Sequence, residues 1–171
     1  MTKMPPRGLD ERLRDTRARL ENDVDLWVAT SGAQGGVHLV PLSYLWDGTA
    51  VVVSTPRTSV TGRNLLADSR VRLGVGPTRD VVIIDGDAQP VDVTELGEKT
   101  AEEFAARTGF DPRLETDAPY QYFRILPRRT QAWRESNELA GRTLMRDGSW
   151  LARGEPPRQG PVVLDRCARA L

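Results

Sequence analysis

The stretch VVVSTPRTSVTGRNLL, from Val51 to Leu66, indicates both how this chain folds and where it has a site. Its β-branched start is typical of a buried strand. Thr55-Pro56 ends that strand, because proline lacks the amide hydrogen that a sheet ladder needs. A loop rich in hydroxyl groups and arginine follows, and Gly62 leads into a short helix predicted over Asn64–Asp68. Hydroxyls, guanidinium groups and backbone amides can converge on an anion at such a junction, so we predict a phosphate-binding loop.

The segment before this loop predicts a three-stranded antiparallel meander. Leu26–Thr30, Val37–Leu45 and Thr49–Thr55 each show the apolar pattern of a strand. Asp47-Gly48 joins the second strand to the third and is a strong hairpin signal. We therefore expect the phosphate-binding loop to follow directly from the third strand of a continuous sheet.

The rest of the chain predicts further strands and helices around this meander. They are a helix over 9–22, strands over 70–75, 80–92 and 120–126 (continued over 130–135), a helix capped by Thr94 and running to about Arg107, and a hairpin over 142–151. Six or seven short strands with intervening helices are typical of a small antiparallel barrel. We predict a mainly β (α+β) domain over residues 9–151, between a disordered N-terminus (1–8) and a tail (152–171).

The composition excludes several classes of protein. The chain has 171 residues, and its 24 basic residues balance 24 acidic ones, which argues against a general nucleic-acid or membrane-surface role. One histidine and one cysteine exclude disulfide frameworks and multi-histidine metal centres, so we predict no metal site. No apolar run reaches the ~20 residues of a membrane span. The first fourteen residues also lack a signal-peptide core, which predicts a cytoplasmic protein.

From about Leu20 to Leu151 the sequence resembles the pyridoxamine 5'-phosphate oxidase-like family, the flavin- and deazaflavin-binding split β-barrels. The resemblance is carried by the meander with His38-Leu39-Val40-Pro41-Leu42 and Trp46-Asp47-Gly48, by the loop over 55–65, and by residues 127–133. Thr55, Ser59, Asn64 and Leu65 match the family's phosphate loop. The family's phosphate-binding lysine falls at Thr61, a departure for which Arg57 or Arg63 can compensate.

The resemblance implies a homodimeric split β-barrel with two equivalent cofactor sites at the dimer interface. It implies an FMN- or deazaflavin-dependent oxidoreductase that transfers a hydride to or from an unidentified small organic substrate, with FMN as the expected cofactor and deazaflavin coenzyme F-420 as the alternative. The residues expected to hold the cofactor lie on the second strand, on the phosphate loop and after the last long strand: His38, Val40, Pro41, Leu42, Thr55, Arg57, Ser59, Thr61, Gly62, Arg63, Asn64, Trp133 and Arg134.

Each of these assignments has a plainer alternative. The hydroxyl-rich loop can be an ordinary turn with solvated arginines, and His38 can be a half-buried histidine with a backbone partner. Trp133 can stack on the cofactor ring or belong to the interface core, whereas Trp27 and Trp46 are predicted to be packing residues. The whole protein can also be a non-catalytic carrier of flavin, deazaflavin or haem, or a dimer whose site has decayed.

Overall fold

A computed structural model describes residues 5–33 and 35–151 of the chain. Two short 3-10 helices lie at Pro112–Leu114 and Ser136–Glu138. The helices and strands in chain order are α1 (Leu9–Asn22), β1 (Asp25–Ser31), β2 (Val37–Trp46), β3 (Val51–Pro56), α2 (Val60–Ala67), β4 (Arg70–Val75), β5 (Val81–Val91), α3 (Val93–Leu96), α4 (Glu98–Thr108), β6 (Tyr120–Trp133), β7 (Thr143–Arg146) and β8 (Ser149–Trp150).

Six antiparallel strands close into a barrel. The strand order is β3-β2-β1-β4-β5-β6, and β3 pairs back onto β6 from Val51 opposite Ile125 to Pro56 opposite Tyr120. β7 and β8 extend the sheet beyond β6. The predicted split β-barrel with flanking helices is confirmed. The described part of the chain has eight strands rather than six or seven, because the hairpin turning at Asp147-Gly148 contributes two short ones.

Alternation along β1 shows how the strands build the core. Leu26 and Val28 point into the barrel and are 3% and 0% exposed. Trp27, between them, points outward and is 52% exposed, so its prediction as a packing residue is wrong. Period-two alternation put Trp27 on the outer face of the sheet, and aromatic character alone did not reveal this. Trp46, by contrast, packs against the barrel core.

The β-branched strand β3 is buried on both of its faces. Val51 and Val53 belong to the barrel core. Val52 points the other way, into a second cluster beneath α3 and α4 that includes Phe104 and Tyr122, whose rings meet edge to face with centroids 5.5 Å apart. The run of valines therefore joins the two cores, which explains why it lacks polar alternation.

Two helices begin at different residues from those predicted. Helix α2 starts at Val60 and not at Asn64, because Ser59 caps it. The helix predicted from Thr94 is two helices, since Asp92 forms the capping box with Glu95 and Gly97, at a φ of 88°, interrupts the chain after one turn. Asp92 and Ser59 each accept a hydrogen bond from the amide three residues on, a contact that sequence pattern alone places only approximately.

The predicted disorder of residues 1–8 is wrong at Arg7. Its side chain is 7% exposed, and its guanidinium donates to Glu138 and Asp15. Burial of a paired guanidinium fixes the chain just before α1, which composition could not indicate. Residues 1–4 and the predicted tail over 152–171 lie outside the described residues.

Candidate functional site

The loop between β3 and α2 brings two hydroxyl groups together. Thr55 Oγ1 lies 3.0 Å from Ser59 Oγ, and Ser59 Oγ accepts a hydrogen bond of 2.9 Å from the amide of Gly62. Thr55 is buried, whereas Ser59 is half-buried. Ser59 thus has a capping role that fixes the start of α2, and its hydroxyl stands at the positive end of that helix dipole.

Gly62 allows the loop to fold back on itself. A Cβ atom built at this position would lie 2.3 Å from the carbonyl oxygen of Pro56 and 3.0 Å from that of Arg57. These are backbone atoms that cannot move aside alone, so only glycine fits. The structure therefore gives Gly62 a packing role, with its amide committed to Ser59.

Two amides at the start of α2 remain available to an anion. The amides of Ser59 and Gly62 are already paired, with the Pro56 carbonyl and the Ser59 hydroxyl. Within residues 5–33 and 35–151, no hydrogen bond is recorded for the amides of Val60 and Thr61. First-turn amides of a helix point along its axis, outward from the N-terminus, and attract negative charge.

Two arginines flank this loop. Arg57 donates from Nη1 to Gln121 Oε1 over 2.6 Å, and Arg63 donates to the carbonyl oxygen of Thr58. Both side chains are exposed, and neither forms an ion pair with a carboxylate in the described part of the chain. Thr61 is only 3% exposed, so its short side chain packs inward. The cations of this site are therefore the two arginines.

Asn64 and His38 tie the loop to the β1–β2 hairpin. Asn64 is 9% exposed and donates from Nδ2 to Thr30 Oγ1 over 3.0 Å. Thr30 is paired with His38 across β1 and β2, and His38 is half-buried. Asn64 thus anchors α2 against the hairpin, and His38 lies on the strand beside that anchor.

The barrel opens between β2 and β3 next to the loop. β2 begins at Val37, but it pairs with β3 only through residues 44–46, starting with Tyr44 opposite Val53. Continuing that register places Leu42 level with Thr55, where the two strands have separated. The edge of β2 that includes Val40, Pro41 and Leu42 therefore has no strand beside it among the described residues, and helix α2 packs against both β2 and β3.

Trp133 and Arg134 lie at the opposite end of β6 from the loop. Tyr120, at the start of β6, is opposite Pro56, whereas Trp133, at its end, is opposite Val81. Arg142 lies over the ring of Trp133, with its guanidinium carbon 5.4 Å from the ring centroid. The structure brings the other predicted site residues to one end of the barrel. Within one chain, Trp133 and Arg134 lie away from that end.

The guanidinium of Arg134 is already engaged by carboxylates. Its Nε lies 3.2 Å from Asp80 and its Nη2 lies 3.6 Å from Asp15, while its backbone amide donates to Glu138. Arg134 thus belongs to a partly buried ion network beside α1 and is not a free phosphate ligand in this chain. Within the described residues, no group of three or more His, Cys, Asp or Glu side chains could hold a metal ion.

One outward face of the sheet carries apolar residues from β2 to β6. Leu39 is 57% exposed, and it follows Val37, which is 84% exposed. Trp27 is paired with Gly74 and Gly74 with Ile83, which places Trp27 and Ile83 in one row across β1, β4 and β5. Trp133 lies on this same face of β6, because Ile83 is paired with Gln131, two residues before it. We call this surface the outer face.

Sequence reasoning missed Gln121, which fixes Arg57. Gln121 is 8% exposed and follows Tyr120 at the start of β6. A polar side chain at an inward position of an aromatic strand is the signal that could have revealed it, because buried amides need hydrogen-bond partners.

Comparisons with known proteins agree with this architecture. A crystal structure from Clostridium acetobutylicum of a protein related to general stress protein 26, of the pyridoxinephosphate oxidase family, has a TM-score of 0.58 at 14% identity, covering 74% of this chain and 90% of that one. A FAD-binding protein from Mesorhizobium loti has a TM-score of 0.55 at 19% identity, over 68% and 90%. A protein described as an F-420 reductase has a TM-score of 0.55 at 16% identity, over 67% and 94%. At these identities the likeness shows the fold.

A search of curated proteins gave no significant match. Among the residues that the structure describes, no helix combines the length and the apolar character that crossing a membrane requires.

The sequence itself assigns the family. The sequence profile described as pyridoxamine 5'-phosphate oxidase matches residues 14–134, more than half of the chain. The chain therefore belongs to the pyridoxamine 5'-phosphate oxidase family.

Proposed function

We propose that this chain binds a phosphate-bearing flavin, FMN, at the loop from Thr55 to Asn64, and that it is an oxidoreductase. The observation that carries the proposal is the pair of exposed arginines, Arg57 and Arg63, beside a hydroxyl-lined helix start, with no carboxylate partner among the described residues. Deazaflavin coenzyme F-420 is the alternative cofactor, since its phosphate group is also an anion. The fold shared with a FAD-binding protein and an F-420 reductase supports a ligand of this class.

The donors fit a phosphate group by number and by charge. Thr55 and Ser59 offer hydroxyls, the start of α2 offers the amides of Val60 and Thr61, and the arginines offer charge-assisted hydrogen bonds. In this proposal the cofactor ring lies along the open edge of β2 at Val40–Leu42, the edge away from β1, where no strand of the described residues pairs with the backbone. A bound flavin supplies the hydride chemistry, and the chain supplies position and electrostatics.

We further propose that two copies associate through the outer face. Exposed apolar side chains extend over this face at Trp27 and Leu39, and Val60 and Leu66 of α2, beside the loop, are 43% and 41% exposed. Large exposed apolar patches mark interaction sites in soluble proteins. A dimer also gives Trp133 a route to the site, because the second copy can present its β6 end to the first copy's loop. Trp133 is then a ring contact, and Arg134 holds the segment after it.

The decisive measurement is the affinity of the purified protein for FMN compared with riboflavin, which has the same ring and lacks the phosphate. We expect FMN to bind at least about tenfold more tightly, the effect of one charge-assisted hydrogen bond. A parallel titration with F-420 identifies the preferred cofactor. Equal affinities for FMN and riboflavin, with no binding of F-420, would contradict the proposal.

Turnover separates an enzyme from a carrier of the same cofactor. We expect the protein loaded with reduced cofactor to reduce members of a panel of small carbonyl and alkene substrates, while the cofactor itself is oxidised and its spectrum returns to the oxidised form in step. Tight binding with no spectral change across the panel would favour the carrier, and the phosphate-site assignment would still hold.

A further inference from the structure

We propose that Gln121 is a positioning residue that sets the guanidinium of Arg57 for an anionic headgroup, which makes Arg57 the principal cation of the loop. The inference rests on the proposed function, because it concerns the phosphate end of the same site. It assigns a task to a buried side chain outside the loop, and it separates Arg57 from Arg63.

The amide of Gln121 is held in one orientation. Its Nε2 donates to the carbonyl oxygen of Val91 over 2.7 Å and to that of Tyr122 over 3.1 Å. Since both contacts are to oxygen atoms, they require the NH2 end of the amide on that side. The side-chain oxygen consequently points the other way, where it accepts from Arg57 over 2.6 Å.

The backbone holds the same two segments together. The amide of Arg57 donates to the carbonyl oxygen of Pro119 over 3.0 Å, and Thr55 is paired with Gln121 across β3 and β6. Ser54 Oγ also donates to the Gln121 carbonyl oxygen over 3.3 Å. Arg57 is thus fixed at its main chain and at its guanidinium, although its side chain is exposed. A preorganised donor loses little freedom on binding a ligand.

The partner of Arg57 is a neutral amide, so the positive charge of the guanidinium is not cancelled. A glutamate oxygen would pair with the guanidinium and cancel much of its attraction for a phosphate, whereas an amide oxygen orients it and leaves the full charge available. Gln121 occupies one of the five N–H donors of Arg57 and leaves the others for a ligand. Within the part of the chain that the structure describes, the guanidinium of Arg63 has one hydrogen-bond partner, the loop carbonyl of Thr58.

The test is a double-mutant cycle measured on two ligands. FMN and riboflavin affinities are determined for wild type, Gln121→Met, Arg57→Ala and the double variant, and again with Arg63→Ala in place of Arg57→Ala. Methionine keeps the volume of the glutamine and removes its oxygen. The ratio of the two affinities reports the phosphate contact alone, because the ring is common to both ligands.

We expect Gln121→Met to lower the FMN-to-riboflavin affinity ratio about fivefold, and to have no further effect once Arg57 is alanine, since the pair then acts as one unit. Its effect should persist in the Arg63→Ala background. An unchanged ratio in Gln121→Met, or an equal effect with and without Arg57, would overturn the inference. If Gln121→Met does not fold, Arg57→Lys keeps a charge but not the planar guanidinium that Gln121 orients, and a retained affinity ratio in that variant would overturn the inference.

The outcomes also distinguish this inference from the proposed function. If wild type binds FMN no better than riboflavin and does not bind F-420, the proposed function fails. The double-mutant cycle then has no preference for FMN to assign to Gln121 or Arg57. If wild type prefers FMN but the coupling between Gln121 and Arg57 is zero, only the positioning role fails.

Discussion

Arg7 and Glu138 lie 131 positions apart in the sequence, yet the carboxylate of Glu138 accepts hydrogen bonds from the backbone amide, the Nε and the Nη2 of Arg7, at 3.0, 3.0 and 2.8 Å. Glu138 is 3% exposed, and it also accepts from the amide of Arg134. These bonds, led by that from the Arg7 side chain, lower the pKa of Glu138 to about 2. The contact fastens the segment before α1 to the turn that follows β6.

We expect Glu138→Gln to reduce the free energy of unfolding by about 3 kcal/mol at pH 7, because it removes one partner of a buried ion pair. Urea unfolding followed by circular dichroism measures the change. Glu135→Gln is the matched control: Glu135 pairs with an exposed arginine, Arg79, and the loss there should stay below about 0.5 kcal/mol. Equal losses in the two variants would contradict a special role for Glu138.

The same ion pair predicts how stability depends on pH. The pKa of Glu138 is lower in the folded chain than its ordinary value of 4.5, so its stabilisation is complete above that value and is lost as the pH falls toward about 2. The difference in unfolding free energy between wild type and Glu138→Gln should therefore shrink below pH 4.5. A difference that stays constant down to pH 3 would show that another group is responsible.

We expect Gly62→Ala to damage both the loop and the ligand site. The added methyl would lie 2.3 Å from the carbonyl oxygen of Pro56, and overpacking against backbone costs about 1–3 kcal/mol. Thermal unfolding and FMN titration should both show the loss. Gly36→Ala, where a Cβ would meet nothing within 4 Å, is the control and should change neither. An unaffected Gly62→Ala would mean that the loop tolerates a wider turn.

Two substitutions of Ser59 should separate its capping role from its binding role. Ser59→Ala removes the acceptor for the Gly62 amide and should cost about 1 kcal/mol of stability. Ser59→Asp keeps a good cap, so stability should recover, but its negative charge should abolish the preference for FMN over riboflavin. If the aspartate variant retained that preference, the phosphate would have to bind away from Ser59.

We expect Leu39→Glu to convert a dimer into a monomer. Leu39 is 57% exposed at the centre of the apolar stripe of β2, and a charge there would be desolvated in the interface. Light scattering coupled to gel filtration measures the mass. Leu114→Glu, at a residue that is 75% exposed outside the outer face, is the control and should not alter the mass. A wild-type protein that is monomeric at micromolar concentration would contradict the dimer.

The fold was largely predictable because its strands are regular. The valine run of β3, the alternation of β4 and the two Asp-Gly turns are local signals, and each indicated an element that the structure contains. The family resemblance then supplied the closure of the barrel, which rests on the pairing of β3 with β6 between residues some 70 positions apart. Local pattern carries no information on such a pairing.

The candidate site was predictable only in its local part. Thr55 and Ser59 are four positions apart, and the structure brings their hydroxyls into contact. The commitment of Arg134 to Asp80 depends on side chains from other elements, and so does the support of Arg57 by Gln121. Those partners are distant in sequence, and the local sequence around an arginine does not indicate which distant side chain its guanidinium will contact.

The valine strand β3 serves two hydrophobic clusters at once, one inside the barrel and one beneath α4. The turn that we propose as the phosphate site is carried on the end of that strand, so a packing defect in either cluster would displace the donors of the turn. Phe104, far along the chain from any proposed ligand contact, is therefore expected to influence the geometry of the proposed site.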